Sequence, residues 1–146
     1  MTGRTHRTFA ATLVLVVVAS LVAGCSPFGN GLAGKTFQLT GAQETVPPME
    51  AAISAEDLGR YAITFNNDGS ASIKADCNTV AATYETPSGS SLKIVPGAST
   101  MVACPEDSMG SQFVTLLSGA TSYATVGAKM IIYIGNEGSL EFAELK

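Results

Sequence analysis

The chain has 146 residues, 46% of them hydrophobic, and carries eight Lys and Arg against twelve Asp and Glu, for a formal net charge of −4. That length suits one globular domain with a core of its own. The acidic balance argues against binding nucleic acid or anionic lipid through net charge.

The N-terminus is predicted to be a lipoprotein signal peptide covering residues 1–24. Arg4 and Arg7 precede an uncharged run of apolar and small residues over positions 9–22. This run is too short to span ~30 Å of hydrocarbon and is typical of a secretory signal. Small residues then lead into Cys25, so we expect cleavage before Cys25 and lipidation of its thiol. A cytosolic N-terminal helix is the alternative.

Lipidation would place the protein on the extracytoplasmic side of a cell membrane or outer membrane, held by several acyl chains. Loss of the signal would also remove Arg4, Arg7 and His6. Eight bases minus two leave six against twelve acids, a net charge of −6 with no histidine. A Ser-His-Asp or Cys-His site is then impossible, and no Gly-rich phosphate loop follows a strand. We predict no enzymatic activity, no cofactor and no metal.

Four carboxylates offer an alternative to that prediction. Asp68, Asp76, Glu106 and Asp107 would form a calcium or acid–base site if the fold brought them together. Asp68, however, has the position of a turn residue, and Glu106 and Asp107 are typical charges at the start of a helix.

Two cysteines remain after lipidation of Cys25, namely Cys77 and Cys104. Outside the cytoplasm such a pair most often forms a disulfide, which we predict here. Two free thiols or a metal site are the alternatives, although two cysteines without histidine make a poor zinc site. The amide of Asn78, next to Cys77, is expected to bond loop backbone.

Residues 25–34 are Gly-rich after the lipidated cysteine and are predicted to be a flexible tether, so the domain would cover 35–146. Alternating β-forming residues predict a first strand over 36–40. Residues 41–59 allow a short helix over Met49–Leu58 or an excursion across a barrel end. The turn 66–69 predicts a hairpin. Further strands are expected over 61–65, 71–75, 80–85, 92–95, 122–126, 129–134 and 139–145.

One amphipathic helix is predicted, beginning at Pro105, where a missing N–H is tolerated. Its apolar face would consist of Met109, Phe113, Leu116, Leu117 and Ala120, with Gly119 at its end. Eight short strands and one helix indicate a mainly β fold. We expect a closed or nearly closed antiparallel barrel whose end or face the helix covers.

An ordered set of residues in the mature chain resembles the META domain, the fold of the HslJ-like heat-inducible lipoproteins, over about 32–145. Its most specific part is the Cys77-Asn78 pair, followed by Ala-Cys104-Pro105 with Thr100 four residues before the second cysteine. The other matching positions are Asp68, Gly69, Ala75, Asp76, Tyr84, Leu92, Phe113, Leu117, Tyr123, Leu140, Glu141 and Phe142.

The resemblance implies a small lipocalin-like β-barrel without established enzymatic activity, in which Asp76, Asn78, Thr100 and Pro105 belong to a structural motif. Some members are linked to heat response, drug tolerance or envelope maintenance. Many have Gly where this chain has Asp76, and Trp where it has Phe37.

Two functions follow as hypotheses. The first is a non-catalytic envelope module that binds an envelope protein or supports envelope integrity, anchored in the membrane and without nucleic acid. The second is a carrier or sensor of a small apolar ligand inside the barrel. Aromatic volume sufficient to fill a small barrel favours the first; it is supplied by Phe37, Tyr61, Phe65, Phe113, Tyr123, Tyr133 and Phe142.

Overall fold

The computed structural model describes residues 31–45, 48–52, 54, 57 and 59–146. The predicted signal peptide, Cys25 and most of the predicted tether lie outside these residues. The described part forms nine strands and one helix: β1 Lys35–Thr45, β2 Pro48–Ala52, β3 Tyr61–Phe65, β4 Ser70–Ala75, β5 Asn78–Glu85, β6 Lys93–Ser99, α1 Gly110–Ser118, β7 Ser122–Val126, β8 Lys129–Ile134 and β9 Gly138–Leu145.

All strand pairs are antiparallel, in the order β6-β5-β4-β3-β1-β9-β8-β7, with β2 paired to the second half of β1. The sheet curls until its two ends meet at one isolated bridge, between Ser91 and Ser122. Because a single bridge and no ladder joins β6 to β7, the sheet is a curled half-barrel, and α1 packs against β4, β6 and β8. The predicted mainly β fold with one packed helix is confirmed.

The core consists of the inward-facing residues of alternating strand positions. Phe65 packs edge-on against Tyr84 with ring centroids 4.8 Å apart, and Phe113 packs in the same manner against Tyr61 at 5.5 Å. Phe37 is also buried and supplies an aromatic anchor at the position where the resemblance implies Trp. Tyr133 is an exception to the expected aromatic filling, because it lies on the outer face of β8 and is exposed.

The stretch 41–59 differs from both of its predicted forms. β1 continues through Thr45 and folds back on β2, with Thr45 opposite Pro48 and Gly41 opposite Ala52. Pro48 begins β2, a position in a strand that tolerates the missing N–H. A helix over Met49–Leu58 is therefore wrong for residues 49–52; positions 53, 55, 56 and 58 lie outside the described residues.

The helix also begins later than predicted, at Gly110 instead of Pro105. A turn occupies 105–108, in which the N–H of Ser108 donates to the carbonyl of Pro105. The N–H of Met109 donates to the Tyr61 hydroxyl at 3.0 Å. At Gly110 a Cβ would lie 2.8 Å from the Ala75 carbonyl oxygen, so only glycine allows this approach to β4.

The apolar face of α1 is correspondingly narrower than expected. Phe113 and Leu117 are buried, Leu116 is half-buried, and Met109 is exposed before the first turn. None of the helical segments in the described residues has the length and apolar character to cross a bilayer. Strand β6 likewise extends further than the predicted 92–95, to Ser99.

Candidate functional site

The residues of the predicted motif meet at one end of the barrel, which we call the distal end and define by residues 76–78 and 99–110. Cys77 follows β4, and Cys104 precedes the turn that leads to α1. A disulfide joins them, with Cα atoms 5.6 Å apart. The bridge ties the β4–β5 turn to the loop between β6 and α1.

Asn78 holds the same loop through its amide. Its Oδ1 accepts from the Val102 N–H at 2.8 Å and from the Thr100 hydroxyl at 3.0 Å, and its Nδ2 donates to the Val102 carbonyl at 3.0 Å. The Thr100 Oγ1 in turn accepts from the Thr79 N–H at 2.9 Å. Hydrogen bonds from side chains to the backbone therefore order this loop, which is not part of a β-strand.

Asp76 occupies a position where the backbone is left-handed, with φ of +61°. Gly adopts this conformation without strain, and Asp and Asn tolerate it better than other residues. The resemblance described above implies Gly at this position, and the left-handed backbone is a physical reason for it. In this chain the carboxylate receives a two-pronged bond from Arg60, with Nε to Oδ1 and Nη2 to Oδ2 both at 2.8 Å.

Arg60 is the centre of an ion-pair cluster. It also donates to Asp57 and lies 3.6 Å from the Asp107 carboxylate. The Arg60 hydrogen bonds, followed by one from the Ser108 hydroxyl, lower the pKa of Asp76 to about 2. Hydrogen bonds from Ser54 and then Arg60 lower the pKa of Asp57 as well. The cluster therefore favours the ionised forms of Asp76 and Asp57, the reverse of what a general acid needs.

We expect the Arg60–Asp76 pair to make folding stability pH-dependent. The pKa of Asp76 is lower in the folded chain than the ~3.9 of an unfolded aspartate, so its contribution is complete at neutral pH and is lost as the pH falls from about 5 towards 2. Asp76→Asn should lower the free energy of unfolding by about 1–3 kcal/mol at neutral pH. It should also weaken the dependence of stability on pH below about 5. Urea denaturation at a series of pH values measures both effects.

The exposed Asp107 provides the matched control, since Asp107→Asn removes a carboxylate that lies 3.6 Å from the same guanidinium. Its cost should stay below about 0.5 kcal/mol. Asp76→Gly separates the effect of the charge from that of backbone strain. It removes the carboxylate, but it also places at this position the residue that adopts a left-handed conformation without strain. If stability falls as steeply with acidification in Asp76→Asn as in the wild type, the pH dependence does not come from the Arg60–Asp76 pair.

Beside this cluster, a groove of about 550 Å³ opens between β6 and α1. Its floor includes Val80, and Pro96 and Val114 lie on its two sides. Val102 lines it and is exposed, and its neighbour Met101 is 97% exposed. The distal end thus presents apolar side chains on a loop that a disulfide and an amide hold in place.

The predicted site residues divide into two groups. Asp76, Asn78, Thr100 and Pro105 all lie at the distal end, where Pro105 lines the groove. Of the four carboxylates considered for a metal, Asp68 is at the opposite end of β4, in the 66–69 turn. Within the described residues no three His, Cys, Asp or Glu side chains are grouped so as to hold a metal ion.

Sequence reasoning missed Arg60 and Ser108 as partners of Asp76. Neither stands in a recognisable motif, and the pairing of Arg60 with Asp76 spans 16 residues. The one available signal was the Asp in place of Gly at position 76, since a charged residue at a left-handed position calls for a partner.

A comparison with family models identifies the family, and solved structures of similar fold support the architecture. The sequence model of the META domain matches residues 31–146. A protein from Burkholderia xenovorans, solved by NMR, is 17% identical with a TM-score of 0.63, and the alignment covers 98% of this chain and 99% of that one. A DUF4847 family protein from Bacteroides vulgatus ATCC 8482 is 14% identical with a TM-score of 0.56, over 77% and 93% of the two chains. No curated protein matches significantly.

Proposed function

The chain belongs to the META domain family, and on that premise we propose that it is a non-catalytic, lipid-anchored module of the cell envelope that binds a protein with its distal end. Cys25 would carry the anchor. The mature part would face the extracytoplasmic side and would serve envelope maintenance or a stress response, as the resemblance implies.

The observation that carries this proposal is the exposed apolar rim of the groove. Val102 lines the groove and is exposed, Met101 precedes it in the chain and is almost fully exposed, and Met109, just before α1, is exposed as well. Met is a residue of adaptable binding surfaces because its side chain is flexible and polarizable. Here the loop that carries Met101 is held by Asn78 and by the disulfide, so binding would cost little conformational entropy.

Charge narrows the kind of partner. Glu106 and Asp107 lie in sequence between Val102 and Met109 and are exposed, and Asp57 and Asp76 lie nearby, paired with Arg60. A complementary protein would therefore combine apolar side chains with Lys or Arg.

A carrier of a small apolar ligand is the alternative, and packing argues against it. An internal ligand needs inward-facing small residues, whereas the inside of this half-barrel is filled by large buried side chains. The largest of these are Tyr61, Tyr84, Phe37, Phe65 and Phe142. The groove beside them is open to solvent and is lined by polar as well as apolar residues.

Photo-crosslinking in intact cells tests the proposal. We expect a benzophenone amino acid at Met101 to give an adduct with one protein, identified by mass spectrometry, and the same group at Thr83, an exposed position on β5 far from the distal end, to give none. Val102→Asp should abolish the Met101 adduct by placing a charge in the apolar contact.

The outcomes separate the two functions. Adducts of lipid size at Met101, without a protein, would support the carrier hypothesis. Equal protein adducts at Met101 and Thr83 would mean that the distal end is not the specific surface.

A further inference from the structure

The described chain begins at the opposite end of the barrel, which we call the proximal end. Leu32 is buried in the core, and the Gly34 N–H donates to the Phe65 carbonyl at 2.7 Å. Lys35 then starts β1 directly opposite Phe65, the last residue of β3. Strand β4, six residues long, separates this end from the distal one by about 20 Å.

A short connection leads from this end to the proposed anchor. Gly31 is six residues beyond Cys25 (31 − 25 = 6), and six residues span at most about 22 Å in any conformation. A lipid on Cys25 would therefore keep the proximal end close to the membrane surface, whereas the distal end can lie a further strand length away.

The β7–β8 hairpin at the proximal end has an unusual tip. Val126 faces Lys129 across the turn, Gly127 adopts a φ of +61°, and Ala128 completes the connection. Val126 is 76% exposed, and Leu145 is exposed next to the tip. Hairpin turns are usually made of polar residues, and an exposed apolar tip flanked by lysine is the composition that suits a membrane interface.

The charges of the domain are divided between its two ends. This end carries four lysines: Lys35, Lys93, Lys129 and Lys146. Against them stand three acids: Glu144 pairs with Lys35 at 3.1 Å, Glu85 is opposite Lys93 in register, and Asp68 accepts from Ser70 in the 66–69 turn. The distal end has Arg60 and Lys74 against four acids: Asp57, Asp76, Glu106 and Asp107.

We propose that the proximal end lies against the bilayer, with the Val126–Lys129 tip at the level of anionic phospholipid headgroups and the groove directed away from the membrane. The inference rests on the proposed anchoring at Cys25. The net charge of the whole domain argues against binding to anionic lipid. The excess of acids is at the distal end, however, so a negatively charged membrane would attract the proximal end and repel the distal end.

Site-specific fluorescence quenching tests the orientation. The lipidated full-length mature protein is placed in vesicles of phosphatidylethanolamine and phosphatidylglycerol containing a headgroup spin-labelled lipid. A fluorophore on Val126→Cys should be quenched at least about twofold more strongly than one on Met101→Cys. Lys129→Glu should reduce quenching at position 126, and Lys74→Glu, an equal charge reversal on exposed β4, should leave it unchanged.

Incorporation of labelled palmitate reports anchoring separately. If the protein is lipidated but both probes are quenched equally, the orientation is wrong while the anchoring stands. If Lys74→Glu reduces quenching as much as Lys129→Glu does, the tip is not the contact with the headgroups. Absence of lipid on Cys25 would overturn the anchoring and this inference with it.

Discussion

Phe113→Ala is expected to destabilise the domain by about 3–5 kcal/mol, the largest effect of any single substitution considered. Phe113 is only 3% exposed, and its ring contacts Tyr61 edge-on and approaches Phe142 at 6.3 Å. Truncation would leave a cavity where α1 docks on the half-barrel. Since small domains have about 5–15 kcal/mol in total, this loss would lower the melting temperature by more than about 10 °C.

Met109→Ala is the matched control, because it also shortens a large apolar side chain of the same predicted face. Met109 is 41% exposed, and its hydrogen bond to Tyr61 uses the backbone N–H, which the substitution keeps. Its cost should be below about 1 kcal/mol. Thermal unfolding of both variants measures the difference, and similar melting temperatures would show that the helix does not dock through Phe113.

The second large effect is expected from removing the disulfide. Cys77→Ser combined with Cys104→Ser opens a connection across 27 residues, and the chain-entropy description assigns such a bridge about 3–4 kcal/mol. The loop 99–109 would retain the Asn78 hydrogen bonds, so we expect the variant to fold at moderate temperature with a lower urea midpoint.

Reductant supplies the control for that experiment. Dithiothreitol should lower the wild-type urea midpoint to that of the double variant and leave the variant unaffected. Mass spectrometry of the non-reduced, alkylated protein tests the bridge directly: two cysteines that alkylate without reductant would rule it out and restore the free-thiol alternative.

The two effects bear on function in different ways. Phe113 lies beneath the groove, on the helix whose Val114 lines one side, whereas the disulfide holds the loop that carries Met101 and Val102. A protein that lost the bridge would therefore keep its core but present a less ordered rim. We expect crosslinking at Met101 to weaken in the double cysteine variant even below its unfolding temperature.

Much of the fold could be predicted from local sequence patterns. Alternating inward residues with a period of two marked most strands, and turn residues such as Asp68 and Gly69 marked the hairpin between β3 and β4, because both signals act within a few residues. The Cys77-Asn78 and Ala-Cys104-Pro105 pieces, as an ordered set, identified the family. The amide of Asn78 was expected to bond loop backbone, and in the structure it bonds that of Val102.

Other features depend on contacts between distant residues, and only the tertiary structure decided them. The start of α1 at Gly110 follows from its close approach to Ala75, 35 residues away (110 − 75 = 35), which overrides the local preference for a start at Pro105. The pairing of Arg60 with Asp76 and the outward position of Tyr133 are likewise set by register between strands.

Composition alone determined that residues 25–146 have an excess of acids and no histidine. It could not determine where those charges lie, because net charge averages over the surface while strand order assigns each residue to an end of the barrel. The fold places Lys35, Lys129 and Lys146 at the proximal end. It places most of the excess acids at the distal end, beside the groove. That separation exists only once β1, β8 and β9 are paired side by side.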